Sequence, residues 1–190
     1  MRFLVVDNTT HLLPRLIEFL PGEVDVLRFD ALSEVDPTHY DAIIFSGGSD
    51  IPVLGNEALF AHEMKWSREA PAPIIGICLG AEIIARAYGA DLKRMDDRER
   101  GAVNIVVCEP NECFQGKTSF YAYENHHWVI ADLPETLIPM ARSSHGVEIF
   151  RHATLPIFAF QYHPESPLAG NEEGGAVFLS VLSSLVGVRV

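Results

Sequence analysis

The sequence predicts an α/β fold: an open, mostly parallel sheet with helices on both faces and an antiparallel extension. Three observations carry this expectation. Over roughly the first ninety residues, short continuously apolar runs alternate with helix-period segments. Strands read this way when crossover helices cover both faces of a parallel sheet. From Val103 the pattern changes to a series of short extended runs, which suits antiparallel additions better than further crossovers. Finally, three segments with chemical potential fall at the carboxyl ends of strand-like runs, where open sheets gather their sites.

The elements follow in order. Phe3–Val6 reads as the first strand and His11–Leu20 as a helix, with Pro14 in the first turn, where its missing N–H costs nothing. Strand-like runs at Val24–Phe29, Ala42–Phe45 and Ile74–Ile77 alternate with helical patterns at Glu57–Arg68 and Ala81–Tyr88. The extended runs are Val103–Cys108, Ser119–Tyr123, Leu137–Arg142 and Val147–Phe150, then a closing strand at Ile157–Gln161 and a final helix over Glu173–Leu185. The charged run Met95–Arg100 is expected to be a solvated loop. No repeat or linker interrupts the pattern, so residues 1–190 read as a single domain.

Composition narrows the function. The net charge of −12 argues against broad binding to nucleic acid or anionic membrane. Apolar runs stop at strand length, so no membrane span is expected. The opening strand meets Asp7 too soon for a secretory signal. Three cysteines without a C-x-x-C pair point to a reduced, cytoplasmic setting. Cys108 and Cys113 read as structural.

The chemistry concentrates in three segments. Gly76-Ile77-Cys78-Leu79-Gly80 places a cysteine between two glycines where a strand gives way to a helix. Such a turn swings a nucleophile out of the sheet, and small neighbours let strand and helix approach closely. A helix N-terminus favours the thiolate, and the Leu79 N–H would face the oxygen of a reacting carbonyl. The second segment is Gln161-Tyr162-His163-Pro164-Glu165. Pro164 biases His163 toward extended backbone, so Glu165 projects to the same side as the imidazole. That supplies a base and its orienter. The third segment is Ser46-Gly47-Gly48-Ser49-Asp50, whose Gly48 N–H would complete an oxyanion hole.

Together these residues resemble the class I (triad) glutamine amidotransferases over nearly the whole chain. Val5-Val6-Asp7-Asn8 resembles the family's opening strand, Ile44 through Gly48 its oxyanion strand and Pro73 through Gly80 its nucleophile elbow. Glu124-Asn125-His126 with Leu133-Pro134 resembles its substrate segment, and Leu155 through Glu165 its closing strand. Size and order are similar to stand-alone amidotransferase subunits such as the archaeal GMP synthase type. The resemblance implies a flavodoxin-like sheet, Cys78 as nucleophile, His163 as base, Glu165 as its orienter, and Gly48 and Leu79 as oxyanion donors. It further implies substrate contacts from Gly47, Glu82, Asn125 and His126. The substrate would be glutamine or a related γ-glutamyl amide, with ammonia passed to a synthase partner. Neither cofactor nor metal is implied; His126, His127, His163 and Cys78 lack zinc-ligand spacing.

Three positions depart from the family pattern. Ser49 replaces the usual Pro, Ala81 follows the elbow, and Glu82 stands where Gln is common. A carboxylate one helical turn from a thiolate repels it by roughly 3 kcal/mol at an effective dielectric of about 20. Glu82 is therefore expected either to turn aside and pair with Arg86, or to face the pocket and meet an ammonium group. The second option keeps open a stand-alone hydrolase of another γ-glutamyl compound. A non-catalytic binding or regulatory module on the same fold is the remaining alternative.

Overall fold

The computed structural model describes residues 1–187; residues 188–190, at the end of the expected single domain, lie outside them. Among the described residues, nine strands form one sheet: β1 (Arg2–Asp7), β2 (Glu23–Arg28), β3 (Ala42–Phe45), β4 (Ile74–Ile77), β5 (Asp91–Val107), β6 (Ser119–Asp132), β7 (Leu137–Arg142), β8 (Val147–His152) and β9 (Ile157–Phe160). Their spatial order is β2-β1-β3-β4-β9-β8-β7-β5-β6. The five strands from β2 to β9 run parallel, and every later pairing is antiparallel. The predicted architecture is thus the observed one.

Four α-helices among the described residues cover the sheet: α1 (Leu13–Phe19), α2 (Ala61–Glu69), α3 (Leu79–Ala87) and α4 (Glu172–Val186). The alternation of side chains along each strand sorts them into two cores. Leu4, Val6, Ile43, Phe45 and Ile74 pack with Met64 and Trp66 of α2 and with Ile83 and Ile84 of α3. Phe3, Val5, Ala42, Ile44, Ile75 and Ile77 pack with Leu16 of α1 and with Phe178, Val181 and Leu182 of α4. β3 and β4 are buried at every residue, which is why their sequences are apolar without alternation.

Two boundaries correct the sequence reading. Met95–Arg100 is not a loop: it lies within the 17-residue β5, which pairs with β6 on both sides of a register break between Arg94 and Glu99. β6 likewise continues past Tyr123 to Asp132. The two form a long ribbon in which Met95–Arg98 stand unpaired in the register break while Lys93, Arg94, Glu99 and Arg100 on either side pair with β6, so composition alone resembles a loop. In addition, the first turn of the helix expected at Glu57 is a 3-10 turn, Glu57–Phe60, that leads into α2.

Candidate active site

β4 and α3 meet at Cys78, which caps α3 with φ +49° and ψ −106°. A β-carbon in this region is strained by about 1–3 kcal/mol, and such strain persists only where surrounding contacts dictate it. Those contacts are explicit. The Cys78 N–H donates to the Phe160 carbonyl at 2.7 Å, and the Gly80 N–H donates to the Ser46 carbonyl at 3.2 Å. A β-carbon at Gly80 would lie 2.3 Å from the Phe45 carbonyl oxygen, and one at Gly76 would lie 2.7 Å from the Gly80 backbone. Both glycines of the G-x-C-x-G motif are thus required by the close approach of helix to sheet.

β9 delivers the other half. Gln161, Tyr162, His163 and Glu165 are all buried where the chain leaves that strand. His163 Nδ1 sits 3.0 Å from Glu165 Oε1, as the spacing of the H-P-E segment predicts. The His163 N–H donates to the Tyr123 carbonyl at 2.9 Å. Asn171 ties the following turn by donating to the carbonyls of His163, Pro164 and Ser166. Gly47 runs beneath the imidazole: a β-carbon there would be 2.9 Å from His163 Cε1 and 3.5 Å from Cys78 Cβ. It therefore packs between the two, where a side chain would not fit.

Burial pushes the Cys78 thiol up, the His163 imidazole pulls it down through charge and a hydrogen bond, and Glu82 and Glu124 push it up further. Burial works against protonation of His163, but the charges and hydrogen bonds of Cys78 and Glu165 outweigh it and raise the imidazole well above its ordinary value. A protonated imidazole beside the sulfur is the arrangement that stabilises a thiolate.

Cys78 opens into a cavity of about 340 Å³ lined by Gly48, Leu79, Glu82, Asn125 and His126, together with Ser49, Ile51, Pro52, Arg94, Arg98, His127 and Trp128. A larger and more open groove of about 490 Å³ lies between α1 and α4 behind Glu165 but contains neither Cys78 nor His163. The sequence reading missed Arg94 and Arg98, which the β5–β6 ribbon carries to this cavity from a stretch that reads as solvated. Cys108, read as structural, is exposed, whereas Cys113 is buried.

Glu82 does not pair with Arg86. Arg86 reaches Glu57 at 3.2 Å and donates to the Ala90 carbonyl at 2.9 Å. Glu82 is buried and accepts from Gln161 Nε2 at 3.3 Å. Burial raises its carboxyl to about 7, with the Gln161 hydrogen bond and His126 pulling against that rise.

Beyond it, His126 Nε2 lies 2.7 Å from Glu124 Oε2, and Glu148 faces the same point. The ligand atoms of Glu124, His126 and Glu148 fall within 4.8 Å of one another, so these are the described residues that could hold a metal. Burial raises Glu124 to about 7, while burial and the neighbouring Glu124 raise Glu148 well above the ordinary carboxyl range.

The sequence matches the glutamine amidotransferase class-I family over residues 4–178. The chain belongs to the class I glutamine amidotransferases. A glutamine-hydrolyzing GMP synthase subunit from Thermococcus kodakarensis is 32% identical over 181 residues, covering 92% of this chain and 93% of that protein. A Thermoplasma acidophilum structure, provisionally assigned as a GMP synthase subunit, superposes with a TM-score of 0.81 at 26% identity and covers 98% of this chain and 94% of that one. A glutamine amidotransferase from Thermotoga maritima shares the fold with a TM-score of 0.79 at 17% identity, each chain covered to 98%. No helix among the described residues is long and apolar enough to cross a membrane.

Proposed function

We propose that this amidotransferase hydrolyses the side-chain amide of glutamine and passes the ammonia to a synthase partner, with residues 1–190 acting as one cytoplasmic amidotransferase domain. The observation that carries this reading is the buried Cys78–His163–Glu165 set: Cys78 lines the cavity, His163 is its hydrogen-bonding neighbour, and the His163–Glu165 contact is 3.0 Å. Cys78 Sγ attacks the amide carbon while His163 holds the thiol proton. The Gly48 and Leu79 N–H groups receive the developing oxyanion, a contribution of about 10²–10³ in rate for one such donor. His163 returns the proton to the departing nitrogen, ammonia leaves, and a γ-glutamyl thioester remains. Water, deprotonated by His163, attacks the thioester and releases glutamate and free Cys78. Glu165 holds the imidazole in the tautomer and orientation that both steps use. The relatives named as glutamine-hydrolyzing GMP synthase subunits support delivery of ammonia to a partner.

A second reading is favoured by the cavity wall. Glu82 at its inner end and Arg94 and Arg98 along β5 suit a charged γ-glutamyl compound other than glutamine, handled without a partner. The deciding experiment incubates wild type and Cys78→Ala with glutamine and a panel of γ-glutamyl amides and measures released ammonia or amine. Cys78-dependent ammonia release from glutamine is expected. Turnover confined to another amide selects the second reading. No release, together with no labelling of Cys78 by a γ-glutamyl electrophile, overturns both.

A further inference from the structure

Behind the glycine loop lies a polar network that the reaction itself does not use. Asn8, at the end of β1, is 2% exposed, and Glu63 of α2 is 1% exposed. The Asn8 N–H donates to Ser46 Oγ at 2.9 Å, and Asn8 Nδ2 donates to the Ser46 carbonyl at 3.1 Å and to Glu63 Oε1 at 3.0 Å. Ser46 Oγ in turn donates to the Gly47 carbonyl at 2.8 Å. Gly48 rests directly on this network, since a β-carbon there would lie 2.1 Å from the Asn8 carbonyl oxygen. The loop carrying the Gly48 N–H is thus positioned by Asn8, and Asn8 by Glu63.

Two atoms of this network have no partner: Asn8 Oδ1 and Glu63 Oε2, both fully buried. They are the remaining acceptor of one planar group and the remaining oxygen of the other, and the two groups are already joined by the Nδ2-to-Oε1 bond. One proton satisfies both. We infer that Glu63 is kept as a neutral acid whose Oε2–H donates to Asn8 Oδ1, closing a two-bond acid–amide pair that positions the Ser46–Gly48 oxyanion loop. The electrostatics agree with the geometry. Burial raises the Glu63 carboxyl to about 8, and only the Asn8 hydrogen bond opposes that rise; no charged group contributes to it. An ionised Glu63 would place an uncompensated charge in the core and turn a donor toward Asn8 into a second acceptor.

Glu63 is therefore a positioning residue that never touches substrate. Its role in the reaction rests on the amide-cleaving reading of Cys78, whereas the acid–amide pair stands apart from it. The test compares wild type, Glu63→Gln and Glu63→Ala. Gln reproduces both hydrogen bonds without a proton that can be lost; Ala removes them.

With glutamine as substrate, Glu63→Ala is expected to lower kcat by about 10–100-fold with KM within about threefold, because a misplaced oxyanion donor acts on the transition state. Glu63→Gln is expected to keep kcat within about threefold of wild type at pH 7. It should also lack the fall in kcat expected of wild type above about pH 8. Superposable alkaline limbs in wild type and Glu63→Gln, or an unimpaired Glu63→Ala, overturn the positioning role.

A readout independent of turnover is the carboxyl ¹³C resonance of glutamate-labelled protein that disappears in Glu63→Gln. It is expected at the protonated position at pH 7; a resonance at the ionised position there overturns the pair. If Cys78 neither turns over glutamine nor accepts a γ-glutamyl electrophile, the functional reading fails while this resonance still decides the pair.

Discussion

Burial raises the Glu82 carboxyl to about 7, so its charge develops across the neutral range. Its repulsion of the Cys78 thiolate is therefore partial at neutrality and grows as pH rises. Glu82→Gln removes this charge while keeping a hydrogen-bonding group for Gln161. If glutamine is the substrate, the variant's kcat/KM should be close to wild type at pH 6 and about 3–10-fold higher at pH 8.5, measured as ammonia release. No gain at pH 8.5 would remove Glu82 as a brake on the thiol. Gly48→Ala should be more severe: its β-carbon overlaps the Asn8 carbonyl, so the loop must shift, and kcat should fall by about 10²-fold or more. The meeting of Cys78, His163 and Glu165 was legible in sequence because G-x-C-x-G and H-P-E each encode a local geometry. The partner of Glu82 was not. The i,i+4 rule that suggests Arg86 applies to an exposed helix face, and α3 buries Glu82 toward Gln161 while Arg86 turns to Glu57.

The elbow between β4 and α3 combines a strained cysteine with two glycines that cannot accept a side chain. Gly80→Ala should destabilise the protein by about 1–3 kcal/mol or more, because backbone rather than a flexible side chain stands in the way. Cys78→Gly should be more stable than Cys78→Ala by about 1 kcal/mol, since glycine adopts φ +49° without penalty. Denaturant midpoints of the variants check both, and equal stability of the two Cys78 variants would show an unstrained elbow. At this scale the parallel strands were legible because burial on both faces leaves an unbroken apolar run. The β5–β6 ribbon was not, since its outer stretch faces solvent and its pairing rests on backbone hydrogen bonds that leave no hydrophobic pattern. Arg94 and Arg98 were lost to view with it, and so was the true shape of the cavity.

Across the whole molecule, an unusual number of carboxyls are buried in this acidic chain: Glu63, Glu82, Glu124 and Glu148 all titrate above their ordinary range. Between about pH 5 and 8 the folded protein holds protons that the unfolded chain has released. The unfolded state then binds fewer protons, so unfolding free energy falls as pH rises. His163, also raised, acts in the same direction, its contribution being lost as pH climbs through its folded value. Stability should therefore decline from pH 5.5 to 8.5 by on the order of 5 kcal/mol, read from urea midpoints. Glu63→Gln should flatten that decline, and an increase in stability over the interval would contradict the burial of neutral acids.

β9, made late in the chain, inserts between β4 and β8, both of which precede it in sequence, and His163 and Glu165 arrive only with it. A growing chain that has emerged through Leu155 already contains Cys78 and the residues that line its cavity, but not the imidazole of His163 or its partner Glu165. The thiol is therefore expected to stay unactivated until β9 has docked. Truncation before Ile157 should yield a cysteine that a γ-glutamyl electrophile labels no faster than a free thiol.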